Sequence, residues 1–149
     1  MSSCPSSRSS APRPDRATKP LGTAALQLVT AGFEGERDPY GRKWKRPIVR
    51  DGQTLSDTGV LKNAWRVSAD KRTVTLRNAT RYAAIHQFGG VIVPKRAKAL
   101  RFQLGDRWVT VQRVRMPSRQ MVPTSDGLGK TWERAFAAEV RAVIEELLK

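Results

Sequence analysis

Residues that commonly carry chemistry are scarce in this chain of 149. It has one cysteine, one histidine and 13 acidic residues against 28 lysines and arginines. A lone Cys4 excludes an internal disulfide and any cysteine-based metal site. Cys4 and His86 lie far apart in sequence and are poor material for a nucleophile and its base. No apolar run approaches the ~20 residues of a membrane span. The starting segment lacks an apolar signal core, so secretion is not expected. No internal repeat, phosphate-cradling glycine loop, metal-ligand cluster or paired acid–base constellation is visible, and no cofactor is implied.

What is there is positive charge, +15 at neutral pH. Such an excess calls for an acidic partner, either nucleic acid or a complementary protein surface, unless it is simply a well-solvated exterior. The length suits one domain with a real core. Residues 1–20 carry Ser, Pro and Arg with almost nothing apolar, and read as a disordered or extended basic arm. Residues 21–149 then form the single domain.

Leu21, Ala24, Ala25, Leu28, Val29 and Phe33 recur at three- and four-residue steps, which predicts an amphipathic helix. Asp38-Pro39-Tyr40-Gly41 is a turn signal. Trp44, flanked by Lys43, Lys45 and Arg46, reads as a loop anchor in the core, with base stacking as the other possibility. In Leu55-Ser56-Asp57-Thr58-Gly59-Val60-Leu61, one of Ser56, Asp57 or Thr58 is expected to cap a helix start, while Leu61 and Trp65 anchor it. Residues 66–69 and 73–78 read as a hairpin with Val67, Val74 and Leu76 on the buried face.

The central stretch is Tyr82-Ala83-Ala84-Ile85-His86-Gln87-Phe88-Gly89-Gly90. Tyr82, Ile85 and Phe88 fall on one side of a two-turn helix, which predicts that this side is buried and that the glycine pair ends the helix. His86 beside Gln87 reads as locally hydrogen-bonded, rather than as a ligand or general base. Residues 91–93 make a short strand. A second hairpin spans 99–114, with Leu100, Phe102 and Leu104 alternating with Arg101 and Gln103, a turn at Gly105-Asp106, and a return strand carrying Val109 and Val111. Alternation directs most of its cations away from the core. Lys98, Arg101, Arg107, Arg113, Arg115 and Arg119 form a basic cluster that is a candidate for an interface or for facing DNA. Asp126 or Thr131 is the expected cap of a last helix whose apolar stripe is Trp132, Phe136, Val140, Val143, Ile144, Leu147 and Leu148. A stripe this long needs a sheet or another helix to cover it.

The residues 82–90 resemble the Tyr-Ala-x-Ile-His-Gln-Phe-Gly-Gly signature of the phage virion morphogenesis family, the tail completion proteins of Mu-like and related tailed phages. Asp57, Thr58, Gly59 and Leu61 resemble its Leu-x-Asp-Thr-Gly-x-Leu-x-x-Ser motif, with Ala64 in the serine position. Pro39, Gly41 and Trp44 fit its Pro-x-Gly-x-x-Trp turn. The 117–123 segment resembles its Pro-x-Arg-Pro-Phe-Leu-Gly connection, departing at Gln120, Met121 and Pro123.

Composition and periodicity give an α+β domain: a mainly antiparallel sheet of about four to six strands packed against N- and C-terminal helices, with a short central helix. The resemblance adds the rest. It implies a structural, non-enzymatic virion protein at the tail or neck, present in host cytoplasm during assembly. A ring of copies, hexameric by preference, would cap the tail and join it to the head, with the tail tube and head connector or neck proteins as partners. The alternative is a basic module contacting packaged DNA, or a head-completion connector. A small hydrolase using His86, Asp57 and Thr58 ranks last.

Overall fold

The computed structural model describes residues 15–47 and 52–149. Its elements run α1 (Asp15–Gly35), α2 (Val60–Asn63), β1 (Trp65–Ala69), β2 (Val74–Asn78), α3 (Ala83–Phe88), β3 (Gly90–Ile92), β4 (Leu100–Leu104), β5 (Arg107–Val111), β6 (Val114–Met116) and α4 (Lys130–Leu147). The class is α+β, with the two long helices flanking short antiparallel strands.

α1 begins inside the stretch assigned from sequence to the arm, and Thr18 is already buried. The rest of that arm, with Cys4, lies outside the described residues. α1 continues through Pro20 and approaches the first hairpin at Gly22, where a Cβ would meet Val67 Cγ1 at 2.6 Å. The missing side chain is what lets helix and hairpin come together. Ala25, Val29 and Phe33, four residues apart, then turn one stripe into the core. The helix stops with Glu36 at positive φ and Arg37 N–H donating to the Gly32 carbonyl, a Schellman-type ending in which a non-glycine takes the left-handed position. The Glu36 carboxylate accepts from the Thr54 backbone N–H, which ties this helix end to the loop before α2.

The core gathers Ala25, Val29, Phe33, Trp44, Leu61, Trp65, Met121 and Trp132. Trp44 anchors its loop there: its ring meets Phe33 edge-on at 5.4 Å and its Nε1–H donates to the Gln120 carbonyl at 2.9 Å. At the start of α4, Trp132 is buried and Phe136 packs edge-on against it at 5.8 Å.

The strands do not form one continuous sheet among the described residues. They pair as three separate antiparallel ribbons, β1 with β2, β3 with β6 and β4 with β5. The first and third are local hairpins, whereas β3 and β6 meet across the second hairpin, with Val91 opposite Arg115. Two expected caps also differ. α2 starts from Gly59 in the left-handed region and α4 from Gly129, each without a side-chain cap bond. Ser56, Asp57, Thr58, Asp126 and Thr131 do not serve as N-caps here.

Candidate functional site

α3 has only six residues, so its inward face is chosen by its neighbours. That face is not the apolar one. Phe88 is 70% exposed and Tyr82 43%, while Gln87 is buried. The reason lies in the segment that passes behind it. Gln87 Oε1 accepts from the backbone N–H groups of Met121 at 2.8 Å and Val122 at 3.2 Å, and its Nε2 donates to the Val122 carbonyl at 2.8 Å. An amide satisfies both a donor pair and an acceptor, whereas a phenyl ring would leave these backbone groups unpaired. Ser118 Oγ–H adds a bond to the Gln87 carbonyl at 2.8 Å.

The glycine stop follows from the same close passage. Gly89 has φ 72°, and a Cβ there would sit 2.8 Å from Ser118 N and 3.0 Å from Met116 O. Arg119 completes the junction. Its backbone N–H donates to the His86 carbonyl at 2.7 Å, and its Nε–H to the Lys45 carbonyl at 2.8 Å. Arg119 is therefore buried and acts as a strut, in contrast to the exposed role expected for it.

Beside this junction opens a cleft of about 680 Å³. One wall is the loop and helix start Thr54, Leu55, Asp57, Thr58, Gly59, Val60 and Leu61; Tyr82 and His86 come from α3. Phe102 and Leu104 come from β4, and Val114, Arg115, Met116, Pro117 and Arg119 from β6 and its exit. Lys45, Arg46 and Pro47 close the rim. The lining is mainly apolar, and its charges are Lys45, Arg46, Arg115 and Arg119 against Asp57.

His86 lies half-buried here, its ring edge-on to Tyr82 at 5.9 Å. Its Nδ1 is buried and has no hydrogen-bond partner, so the local side-chain bond expected from the sequence does not form. Burial, and then the Arg119 cation, push its pKa below the ordinary histidine value. The ring is neutral at neutral pH. His86, Asp57 and Thr58 do share the cleft, yet a catalytic base needs a third group to orient its second nitrogen. Among the described residues no such group meets His86 Nδ1.

The cleft thus unites residues from the motifs at 57–61, 82–90 and 117–119. It leaves out Lys98, Arg101, Arg107 and Arg113, which are exposed elsewhere on or near the second hairpin. Arg101 stacks its guanidinium over Trp108 at 4.9 Å on the outer face of that hairpin. Arg107 is paired with Leu104 across the turn and so shares the face of Phe102, not of Arg101. Lys45, Arg46, Phe102, Leu104, Val114 and Met116 were not singled out as site residues from sequence. The alternation in β4 was the local signal for Phe102 and Leu104, and the cations beside Trp44 were the one for Lys45 and Arg46.

Among the described residues no helix is long and apolar enough to cross a membrane. No curated protein and no solved structure matches the chain. The family model that does match is that of the phage virion morphogenesis family, over residues 8–148. With nearly the whole chain covered, the protein belongs to the phage virion morphogenesis family.

Proposed function

We propose that this protein completes the phage tail: a structural, non-enzymatic subunit that assembles with copies of itself into a ring, with six copies favoured, at the head-proximal end of the tail and there mediates joining to the head. It would work in the virion tail or neck, after assembly in the host cytoplasm, against the tail tube and the head connector or neck proteins. One observation carries the reading. Three stretches that resemble motifs of this virion assembly family converge on one cleft that has an apolar lining, a cationic rim and, among the described residues, no oriented catalytic set. Such a surface suits the burial of a protein segment better than the turnover of a small substrate.

The exposed basic hairpin supplies a second contact surface. Arg101 on its outer face, Arg107 at its turn on the other face and Arg113 after its return strand are exposed and make no ion pair among the described residues, which leaves them available to an acidic neck surface. Replacing Arg101 and Arg107 with Glu is expected to give normal tails that fail to join heads, visible by electron microscopy of lysates. Joined particles at normal yield with abnormal DNA retention would instead put the hairpin against packaged DNA, the alternative that the net charge of +15 favours.

A further inference from the structure

α4 is covered along only half its length. Trp132 and Phe136 pack inward, but Val140, Ile144 and Leu147 are 40%, 50% and 44% exposed. Their spacing of four and three residues puts them on one face. Leu148, directly after the helix, is 82% exposed. This same half carries Glu139, Glu145 and Glu146 against Arg141, with Lys149 beyond the helix end. The three carboxylates make no ion pair within the described residues, and the last turn contains no basic residue. Acids at a helix C-terminus sit at the negative end of the macrodipole, an arrangement unfavourable in isolation and relieved by an external cation.

The cleft has the opposite character: apolar walls from Val60, Phe102, Leu104 and Met116 under a rim of Lys45, Arg46 and Arg115. No residue of α4 lines the cleft of its own chain. We infer that the C-terminal half of α4 from one copy docks into this cleft on the next copy, Ile144 and Leu147 entering the apolar lining while Glu145 and Glu146 meet Arg46 and Arg115. The inference rests on the self-assembly proposed above and supplies its contact. Donor and acceptor are different surfaces of one chain, so the contact is heterologous and propagates head to tail, closing into a ring where the rotation allows. A second copy fits better than nucleic acid, because phosphates would meet the rim but leave the apolar lining empty. It fits better than an unrelated protein because both complementary halves stand uncovered on the same chain.

Sedimentation of the full-length chain tests this. A donor variant, Ile144→Asp with Leu147→Asp, and an acceptor variant, Val60→Asp with Tyr82→Asp, alter only exposed side chains. Each alone is expected to self-associate about tenfold more weakly or worse. Mixed in equal amounts they should form one-to-one dimers, since each supplies the half the other lacks. As an independent check that keeps the apolar contacts, Arg115→Glu should weaken association and a further Glu145→Arg should restore it. An oligomeric parent whose variants all remain oligomeric overturns the docking and leaves ring assembly to another surface. A mixture that stays monomeric also overturns it. A parent that is monomeric at every concentration overturns both the docking and unaided ring formation. If the acceptor variant of such a monomer then fails to bind purified tail tubes or free DNA that the parent binds, that ligand is the occupant instead.

Discussion

Gln87 is the residue on which the central motif turns. It sits at a position where one buried side chain satisfies three backbone groups of Met121 and Val122. Gln87→Ala strands those groups and is expected to lower stability by about 1–3 kcal/mol or more, read from urea denaturation. Phe88→Ala, next to it, should cost well under 1 kcal/mol, because the ring is mostly in water already. The reverse ranking would mean the helix packs through its apolar side. His86 gives a pH-dependent test. Its folded-state pKa lies below the usual value of about 6.5, so between the two values the unfolded chain binds more protons than the folded one. Stability is then complete above pH ~6.5 and erodes as the pH falls below it toward the folded pKa. His86→Gln removes that titration, and the drop in Tm between about pH 7.5 and 5.5 should shrink relative to the parent. An equal drop in both proteins would assign the effect elsewhere.

Among the elements, α3 and the strand exit behind it behave as one unit, held by side chain-to-backbone bonds and by a backbone approach that only glycine permits. Gly89→Ala meets the backbone of Met116 and Ser118, which cannot swing away as a side chain would. Its strain alone should cost about 1–3 kcal/mol, with the clash adding to that. Gly105→Ala is the control. Gly105 has φ 60° in the two-residue turn between β4 and β5, but nothing lies within 4 Å of the added carbon. There the cost should stay near the ~1–2 kcal/mol of left-handed backbone itself. Equal urea midpoints for the two variants would remove the close passage as the reason for the glycine stop. The helix ends show a different economy of means: α1 closes on Glu36 at positive φ, with its carboxylate bound to the Thr54 N–H. That hydrogen bond holds the Glu36 carboxyl below its ordinary pKa, so its contribution is present above the usual carboxylate range and lost as acidification protonates it.

For the whole molecule, the question is what the charge of +15 is for. Free DNA is expected to bind such a surface, with an affinity that falls with salt by about one unit of logarithmic slope per phosphate contact. If the hairpin serves a protein interface, neutralising Arg101, Arg107 and Arg113 should reduce DNA binding no more than neutralising Lys98, Arg96 and Lys95. If it serves DNA, loss of slope should concentrate at the three hairpin arginines. Binding measured from low to physiological salt separates the two, and the interface reading expects the even result.

The sequence by itself determined the local pieces, because the forces that make them act over a few residues. Apolar steps of three and four marked α1 and α4, and strict alternation around Gly105-Asp106 set the second hairpin with its outward Arg101. Only the tertiary structure decided how α3 faces. Two turns of helix offered an apolar side and an amide side, and the unpaired backbone of residues 121–122, more than thirty positions away, selected the amide. The strand pairings divided in the same way. Hairpins follow from their turns, but β3 meets β6 across an intervening hairpin, so no short window reveals that among the described residues three ribbons stand in place of one sheet. The caps at Gly59 and Gly129 were hidden for a similar reason, since each is fixed by the path of the incoming chain and not by a side chain that bonds there. The cleft is the furthest from local reading. Its lining comes from five separated segments, and its basic rim arises because Lys45 and Arg46 are pinned beside the 115–119 strand exit by the Arg119–Lys45 bond.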